Sequence, residues 1–555
     1  VTAASRRRGD LLAMTASWAL LAAAFHPLHV TWLAWIAPLP WMARHMDRRI
    51  PGEPRFGPVS MLGSYLIVAS TLAWMRTLAP PLMFLVPLLG MPTAWLTGRL
   101  LDAGRARGVA PWFLYPSVIA CCDVLRDRLL GLSWAVPGYT QEEVPSLLAL
   151  AAVGRAHLVS WVMLCVAAAA THWWVSRGDD PVERRRARRG AAIAAGILLV
   201  AIGFGAARHP ETTADGPLAV AVQPNVPQAE RLREGPGRQA VIQAGILERF
   251  ADQNPDLAVL PETCFPGVRE PDERRLGYIL DQPAAFSRGG DALVRFRDST
   301  LRAPGQVTVL GVTVGQRIRP DDGAARAMDD DGDGYLEQNV AWVLTGGTPT
   351  ASDVRYGKRI LCPFGEYVPW PAGAPFRDAV TRAIERVGGY IPDLEPGMGP
   401  GIFTVRSPGG PRKGAISICF EAVFPEMFRE GVLLGADFLV NVSNDAWFFD
   451  SEELDLVDVA TRFRAVESGR TVLRVSNSGI STAFGPDGTR LAIVEGPDGR
   501  RKEVAGGFAV RLPICAETTP YVRFGDAPWA LLGLVISWCC LRPRRAAPSR
   551  SGESG

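Results

Sequence analysis

Glu183-Arg-Arg-Arg-Ala-Arg-Arg-Gly190-Ala-Ala-Ile-Ala-Ala-Gly-Ile-Leu-Leu-Val-Ala-Ile-Gly-Phe-Gly-Ala-Ala207 decides how this chain is built. A cluster of arginines is followed by an uncharged apolar run, and after Ala207 the sequence turns polar. A helix crossing a bilayer needs about 20 apolar residues. Arginine-rich flanks stay on the cytoplasmic side. Reading Ala191–Ala207 as a span therefore puts Arg184, Arg185, Arg186, Arg188 and Arg189 inside and the chain from about Arg208 outside.

Upstream, further apolar stretches predict spans near Leu11–Phe25, Val30–Ala43, Val59–Leu78, Pro80–Leu100, Ala110–Val124 and Val144–Val175; one more follows at Pro528–Leu541. The first two are short for a span, and His26-Pro27 marks the turn between them. The Val144–Val175 run is long enough for one span with an interfacial lead-in through Gly154-Arg155. With Arg6, Arg7 and Arg8 inside, alternation also places Arg44, Arg48, Arg49 and Arg55 inside, then Arg99, Arg105 and Arg107, and finally Arg542, Arg544 and Arg545. Every cluster falls on one side, as the positive-inside rule requires. The first segment also fits a cleaved export signal, but the spans that follow favour a retained helix. Hydrophobic residues make up 48% of the 555, which suits a chain partly in lipid. A net charge of only +3 gives no global basic field for nucleic acid. Asp123 and Arg126, at helical spacing, close one apolar run: either a functional pair near the membrane or a solvated helix end.

The segment from Pro217 to Pro513 alternates short β-rich runs with helical stretches. Strands are expected at Leu218–Gln223, Leu257–Leu260, Val307–Gly311, Ala341–Leu344, Gly414–Ile418, Phe438–Asn441 and Thr471–Val475, with helices at Arg238–Asp252 and Leu456–Ser468. Such alternation predicts a layered α/β domain. No glycine-rich nucleotide motif is present, so no nucleotide cofactor is expected. Asp329-Asp-Asp-Gly-Asp-Gly334 opens like a calcium loop, but its twelfth position is Val340 rather than glutamate, and a solvated acidic turn is the better reading. Nine cysteines include no CxxC pair. The adjacent pairs Cys121–Cys122 and Cys539–Cys540 lie in apolar runs, and a disulfide among Cys264, Cys362, Cys419 and Cys515 stays open.

Three chemistry-bearing residues stand at strand ends or in adjoining loops: Glu262 after Leu-Ala-Val-Leu-Pro, Lys358 in Arg-Tyr-Gly-Lys-Arg-Ile-Leu-Cys-Pro-Phe-Gly-Glu366, and Cys419 after Gly-Ala-Ile-Ser-Ile. A thiolate is a strong nucleophile. A carboxylate can take its proton and return it to a leaving group. An ammonium can stabilise the tetrahedral oxyanion. Together they suit acyl transfer through a thioester. Singly they are weak signals: a strand-end cysteine is ordinarily a small buried hydrophobe, and Cys264 and Cys362 lie beside the same acid and lysine.

The ordered motifs resemble the Glu–Lys–Cys pattern of the nitrilase (carbon–nitrogen hydrolase) superfamily, and within it the apolipoprotein N-acyltransferases. Lys358-Arg-Ile-Leu-Cys-Pro-Phe-Gly-Glu-Tyr-Val-Pro369, Val440-Asn-Val-Ser-Asn-Asp-Ala-Trp-Phe448, Val222-Gln-Pro-Asn-Val-Pro-Gln228, Arg464-Ala-Val-Glu-Ser-Gly-Arg470 and Asn477-Ser-Gly479 carry the resemblance. So do Ser133-Trp-Ala-Val-Pro-Gly-Tyr-Thr-Gln141 and Thr519-Pro-Tyr-Val-Arg-Phe-Gly-Asp526 in the membrane part. The resemblance implies an N-terminal membrane domain (1–208), an extracytoplasmic α-β-β-α nitrilase-like sandwich (209–519), and a last span with a basic tail (520–555). It implies Cys419 as nucleophile, Glu262 as base and acid, and Lys358 as oxyanion stabiliser, with Glu366, Glu421 and Asn339 accessory. It further implies a ping-pong reaction without metal or cofactor. The acyl chain would pass from a membrane phospholipid to a diacylglyceryl-cysteine apolipoprotein, by a monomer in the bacterial inner membrane. Departures are Phe420, where tyrosine is common, Leu232, where an aromatic is common, and the acidic insertion before Asn339. A membrane-tethered amidase and a non-catalytic binding or transport protein are the alternatives. Ala446-Trp-Phe-Phe449 reads either as a loop dipping into lipid or as core packing.

Overall fold

The computed structural model describes residues 3–47, 58–77, 80–131, 133–179, 181–228, 230, 236–269, 290–300, 304–317, 335–346, 354–368, 374, 377, 381–382 and 394–542. The acidic run 329–333 and Leu232 lie outside them.

The N-terminal part is helical: α1 (Ala3–Ala24), α2 (Leu33–Ile36), α3 (Leu39–Met46), α4 (Pro58–Thr71), α5 (Leu82–Leu85), α6 (Met91–Ala106), α7 (Pro111–Leu130), α8 (Pro145–Leu148), α9 (Ala151–Val175) and α10 (Pro181–Ala207). Over its described residues each predicted span falls largely on helix; Leu78 lies outside them. The second, Val30–Ala43, is broken into α2 and α3, because Pro38 precedes Leu39 and its ring cannot continue the preceding turn. The long run breaks where expected: Gly154 and Arg155 leave helical geometry inside α9, with Arg155 at φ +63°. Among the described residues, three helical stretches are long and apolar enough to cross a membrane: Leu82–Ala106, Ala151–Gly178 and Pro181–Ala207. Ala527–Leu541 is a shorter apolar helix. Leu199, Val200, Leu531, Leu534 and Trp538 are exposed on these helices, an apolar surface that water would disfavour and lipid would cover.

Asp123 and Arg126 do pair, at 2.8 Å. The solvated-end reading is not what the fold adopts, because Arg126 and the neighbouring Asp127 are buried. Asp127 accepts from Ser133 Oγ and lies 3.5 Å from the Arg155 guanidinium, which also meets Asp526 at 3.3 Å. Arg128 joins Asp526 to Glu426, at 2.5 and 2.7 Å. Buried charges of this kind persist only when paired, and here the pairing ties the membrane helices to the polar domain.

That domain holds the strands β1 (Thr212–Thr213), β2 (Leu218–Gln223), β3 (Leu257–Val259), β4 (Phe265–Arg269), β5 (Val307–Arg317), β6 (Tyr335–Thr345), β7 (Arg355–Gly357), β8 (Gly401–Val405), β9 (Arg412–Ile418), β10 (Phe438–Ser443), β11 (Thr471–Ser476), β12 (Thr482–Phe484), β13 (Arg490–Ile493), β14 (Gly506–Arg511) and β15 (Ile514–Cys515). One sheet runs β14-β2-β3-β5-β6-β7, with β4 also on β5; the other runs β13-β12-β11-β10-β9-β8. β9, β10 and β11 are parallel, as are β2, β3 and β5. Parallel strands covered on both faces read as continuous apolar runs rather than alternating ones. Leu218-Ala-Val-Ala-Val and Phe438-Leu-Val-Asn-Val do so because both their faces are buried.

Between the sheets pack Ala219, Ala221, Leu257 and Val259 from one and Val440, Val442, Leu473 and Val475 from the other. Outside the first sheet, α11 (Pro236–Glu248) and α12 (Gly290–Thr300) cover Val220, Val222 and Leu310. Outside the second lie α13 (Pro425–Leu433) and α14 (Glu452–Ser468), in one apolar cluster with Trp134, Val136 and Tyr139 from the membrane part. The layering is α-β-β-α, as the resemblance implied.

Candidate active site

Glu262, Lys358 and Cys419 follow β3, β7 and β9, the strand ends where loops of a layered sheet converge. Lys358 is 1% exposed, and its Nζ lies 3.5 Å from Glu262 Oε1 and 2.8 Å from Glu366. Its backbone is pinned as well: its N–H donates to Asn339 O, and its carbonyl accepts from Gly397 N. Burial alone would depress this ammonium, but Cys419, Glu262 and Glu366 around it hold its pKa well above the ordinary lysine range. It therefore stays charged.

Glu262 is buried, and both its oxygens are occupied: Asn339 Nδ2 donates to Oε1, and the Asn444 backbone N–H donates to Oε2 at 2.7 Å. Asn339 Nδ2 also reaches Glu366 Oε1 at 3.1 Å, so one amide orients both carboxylates. Glu366 Oε2 accepts from the Cys362 N–H at 2.8 Å, which closes the lysine loop on itself.

Cys419 occupies a left-handed turn at φ +51° between the end of β9 and a short 3-10 turn, Cys419–Val423. A non-glycine residue there is strained, and such strain collects at functional sites. The residue as a whole is half-buried. Burial, reinforced by the Glu262 carboxylate and opposed by Lys358, pushes its thiol well above the ordinary thiol range. The resting group is thus the neutral thiol, which would need a base in order to act as a nucleophile.

Glu421 anchors the two loops that carry this chemistry. It is fully buried, and its carboxylate accepts from Ile418 N (2.7 Å), Arg359 N (2.7 Å), Ile360 N (3.0 Å) and Tyr356 Oη (2.8 Å). One side chain thereby fastens the cysteine turn to the lysine loop. Burial raises its pKa, with those donors opposing.

All six residues singled out in the sequence meet in this region. The nine cysteines are free. Cys264 is buried against Gly311 O, behind the acid. Burial, then Glu366, pushes Cys362 up to about 12. Sequence reasoning missed the floor beneath Cys419. Asp445 accepts from Ser443, Ser476 and Arg474, and Arg474 also bonds Asn441, whose amide reaches Ser417 Oγ (3.0 Å) and the Cys419 carbonyl (3.4 Å). The signal available was polar residues, Asn441, Ser443, Arg474 and Ser476, inside otherwise apolar strands. Phe420 leads away from the site: it stacks on Trp134 (6.3 Å), which meets Trp74 (5.5 Å), which meets Phe448 (5.3 Å). In the Ala446–Phe449 loop Ala446 is buried and Phe448 is packed on Trp74, whereas Phe449 is 61% exposed.

Residues 17–169 match the apolipoprotein N-acyltransferase N-terminal domain, and residues 218–500 match the carbon–nitrogen hydrolase family. An apolipoprotein N-acyltransferase from Allorhizobium ampelinum is 30% identical over 76% of this chain and 71% of its own length. The chain belongs to the apolipoprotein N-acyltransferase family. Family members from Chromobacterium violaceum and Geobacter metallireducens are 28% and 27% identical, and the matches cover 95% and 96% of this chain and 94% of each relative. Among solved structures, an amidase from a Nesterenkonia species aligns with 57% of this chain and 97% of its own, at 16% identity and a TM-score of 0.34. Family membership extends over both the helical part and the sandwich, since the two matched segments lie in one and the other.

Proposed function

We propose that this chain moves an acyl chain from a membrane phospholipid, through a Cys419 thioester, onto the α-amino group of a diacylglyceryl-cysteine lipoprotein. The observation that carries the reading is a buried ammonium 3.5 Å from a buried carboxylate, beside a cysteine on a strained turn, in an apolipoprotein N-acyltransferase. In the first half-reaction Cys419 Sγ attacks the ester carbonyl carbon while its proton passes to Glu262. Lys358 stabilises the oxyanion. The carbon–oxygen bond then breaks, and Glu262 returns the proton to the departing lysophospholipid. In the second half-reaction the lipoprotein amine attacks the thioester and gives its proton to Glu262. The carbon–sulfur bond breaks, and Glu262 returns that proton to the Cys419 thiolate.

The reading assigns residues 1–208 and 520–555 to the bacterial inner membrane and residues 209–519 to its extracytoplasmic side, as a monomer. Both substrates are then held in the leaflet beneath the site. The aromatic file from Phe420 through Trp134 to Trp74 supports an apolar route for the acyl chain, and the buried Trp74 indole N–H has no partner. Trp74→Ala should raise KM for phospholipid several-fold with little change in kcat, read from initial rates over a lipid titration. An unchanged KM would remove the residue from the route.

The test of the whole reading is discharge. The acyl-protein formed from labelled phosphatidylethanolamine in detergent should be released by a diacylglyceryl-cysteine peptide far faster than by water. Equal rates would instead fit an amidase. Lys358→Ala should slow acyl-protein formation by roughly 10²–10³, the usual cost of losing an oxyanion donor, and Lys358→Met should do the same. Wild-type rates in either variant would exclude the role.

A further inference from the structure

Three side chains outside this chemistry meet where the turn after α1 passes beside α14. His26 and His29 flank that turn, and Glu142 follows the short 3-10 turn Pro137–Gln141. The two imidazole rings lie nearly parallel, with centroids 4.1 Å apart. His29 Nε2 is 3.6 Å from Glu142 Oε1, too far for a hydrogen bond, and that nitrogen is buried without a hydrogen-bond partner. Glu142 is buried, and its other oxygen faces Arg462 at 3.6 Å. One ligand atom from each of the three residues lies within 4.8 Å of the others.

The remaining charges near His26 are Asp455, Asp458 and Lys502. These already have partners: Asp455 pairs with Lys502 at 2.6 Å, and Asp458 pairs with Arg490 at 2.7 Å. Arg462 meets the far oxygen of Glu142, which leaves Oε1 and the His29 nitrogen facing each other on the near side. Desolvating both without a shared proton or ion is costly.

We infer that His26, His29 and Glu142 form a zinc(II) site. Zinc takes nitrogen at about 2.0–2.1 Å and carboxylate oxygen at about 2.0–2.2 Å, so two tetrahedral ligands sit roughly 3.3–3.5 Å apart. The His29–Glu142 pair, at 3.6 Å, stands just outside that separation, and His26, stacked on His29 with the rings 15° apart, turns out of the stack to bring its nitrogen to the ion. Two imidazoles and one carboxylate suit zinc better than calcium or magnesium, which want oxygen. The histidines are partly exposed, which gives the ion an entry path and leaves the fourth position to water. The ion would fasten the turn after α1 to the loop before α8, at the seam with the catalytic domain. It shares no residue with the Cys419 site.

The test is metal binding by the full-length protein in detergent, stripped with chelator and titrated with zinc against a chromophoric competitor. Wild type should take up one equivalent. His29→Ala and His26→Ala/His29→Ala should weaken uptake by at least roughly 100-fold, while the proteins still form the Cys419 acyl adduct. No uptake by wild type, or equal uptake by the folded double variant, would overturn the site. If the double variant misfolds, cobalt(II)-loaded wild type decides. Tetrahedral d–d absorption without a sulfur-to-cobalt band supports the histidine–glutamate site. A sulfur band, which any of the nine free cysteines would produce, or no d–d intensity, refutes it.

Discussion

Cys419→Ala should leave a folded protein that forms no acyl adduct with labelled phospholipid, and lipoprotein acylation should fall by at least roughly 10³-fold. The size of the effect follows from how the thiol is held. Burial and the Glu262 carboxylate keep it protonated at rest, so no pool of free thiolate waits to react. The nucleophile appears only as the proton moves to Glu262 during attack. Alanine removes that nucleophile and nothing else. It keeps the Cβ, so the φ +51° turn is neither relieved nor strained further. The Glu421 contacts to Ile418, Arg359 and Ile360 do not involve the thiol. Intact mass after incubation with phosphatidylethanolamine is the measurement. Retention of the adduct in Cys419→Ala would sink the assignment and point to Cys362, whose backbone shares Glu366 with Lys358.

That alternative marks how far the sequence could be read. The central strands were legible, because Leu218–Gln223 and Phe438–Asn441 are buried on both faces and so are apolar throughout. Strands such as Gly401–Val405, Arg490–Ile493 and Gly506–Arg511 were not. They lie at or toward sheet edges, half covered, and their mixed residues show neither a continuous run nor a strict alternation. The choice among Cys264, Cys362 and Cys419 was also out of reach of spacing, since all three flank the acid or the lysine motif or end a strand. It turns on backbone direction: Cys264 faces Gly311 in the core, whereas Cys419 alone of the three sits on a left-handed turn. The Arg474–Asp445 pair was illegible for a related reason. The two residues are far apart in sequence and meet only because β10 and β11 are parallel and in register, Asn441 opposite Arg474. The membrane part was legible as apolar runs between arginine clusters, but the broken second segment and the kink at Arg155 depend on which neighbours pack there.

Glu421→Ala should cost both stability and catalysis, and the two losses have one cause. The carboxylate accepts from the N–H groups of Ile418, Arg359 and Ile360 and from the Tyr356 hydroxyl. It is wholly buried, so water cannot replace it. Each orphaned buried donor costs about 1–3 kcal/mol. Even with relaxation the variant should lose roughly 3 kcal/mol or more, a fall in the melting temperature of the sandwich of the order of 5–10 °C. Catalysis should fall further than stability predicts. Ile418 precedes the nucleophile and Arg359 follows the lysine, so freeing both lets the thiol and the ammonium drift from the Glu262 geometry, and a misplacement of about 1 Å costs on the order of 100-fold. Glu421 touches no reacting atom, which makes it a positioning residue, and Glu421→Gln separates that role from simple unfolding. Glutamine keeps the volume and one acceptor oxygen but turns an NH2 group toward the remaining donors. It should therefore stay folded at 25 °C while kcat drops and KM for phospholipid holds. Thermal unfolding in detergent, paired with single-turnover adduct formation, reads both quantities. Wild-type adduct rates in a folded Glu421→Gln protein would show that the cysteine turn and the lysine loop keep their registration without this carboxylate.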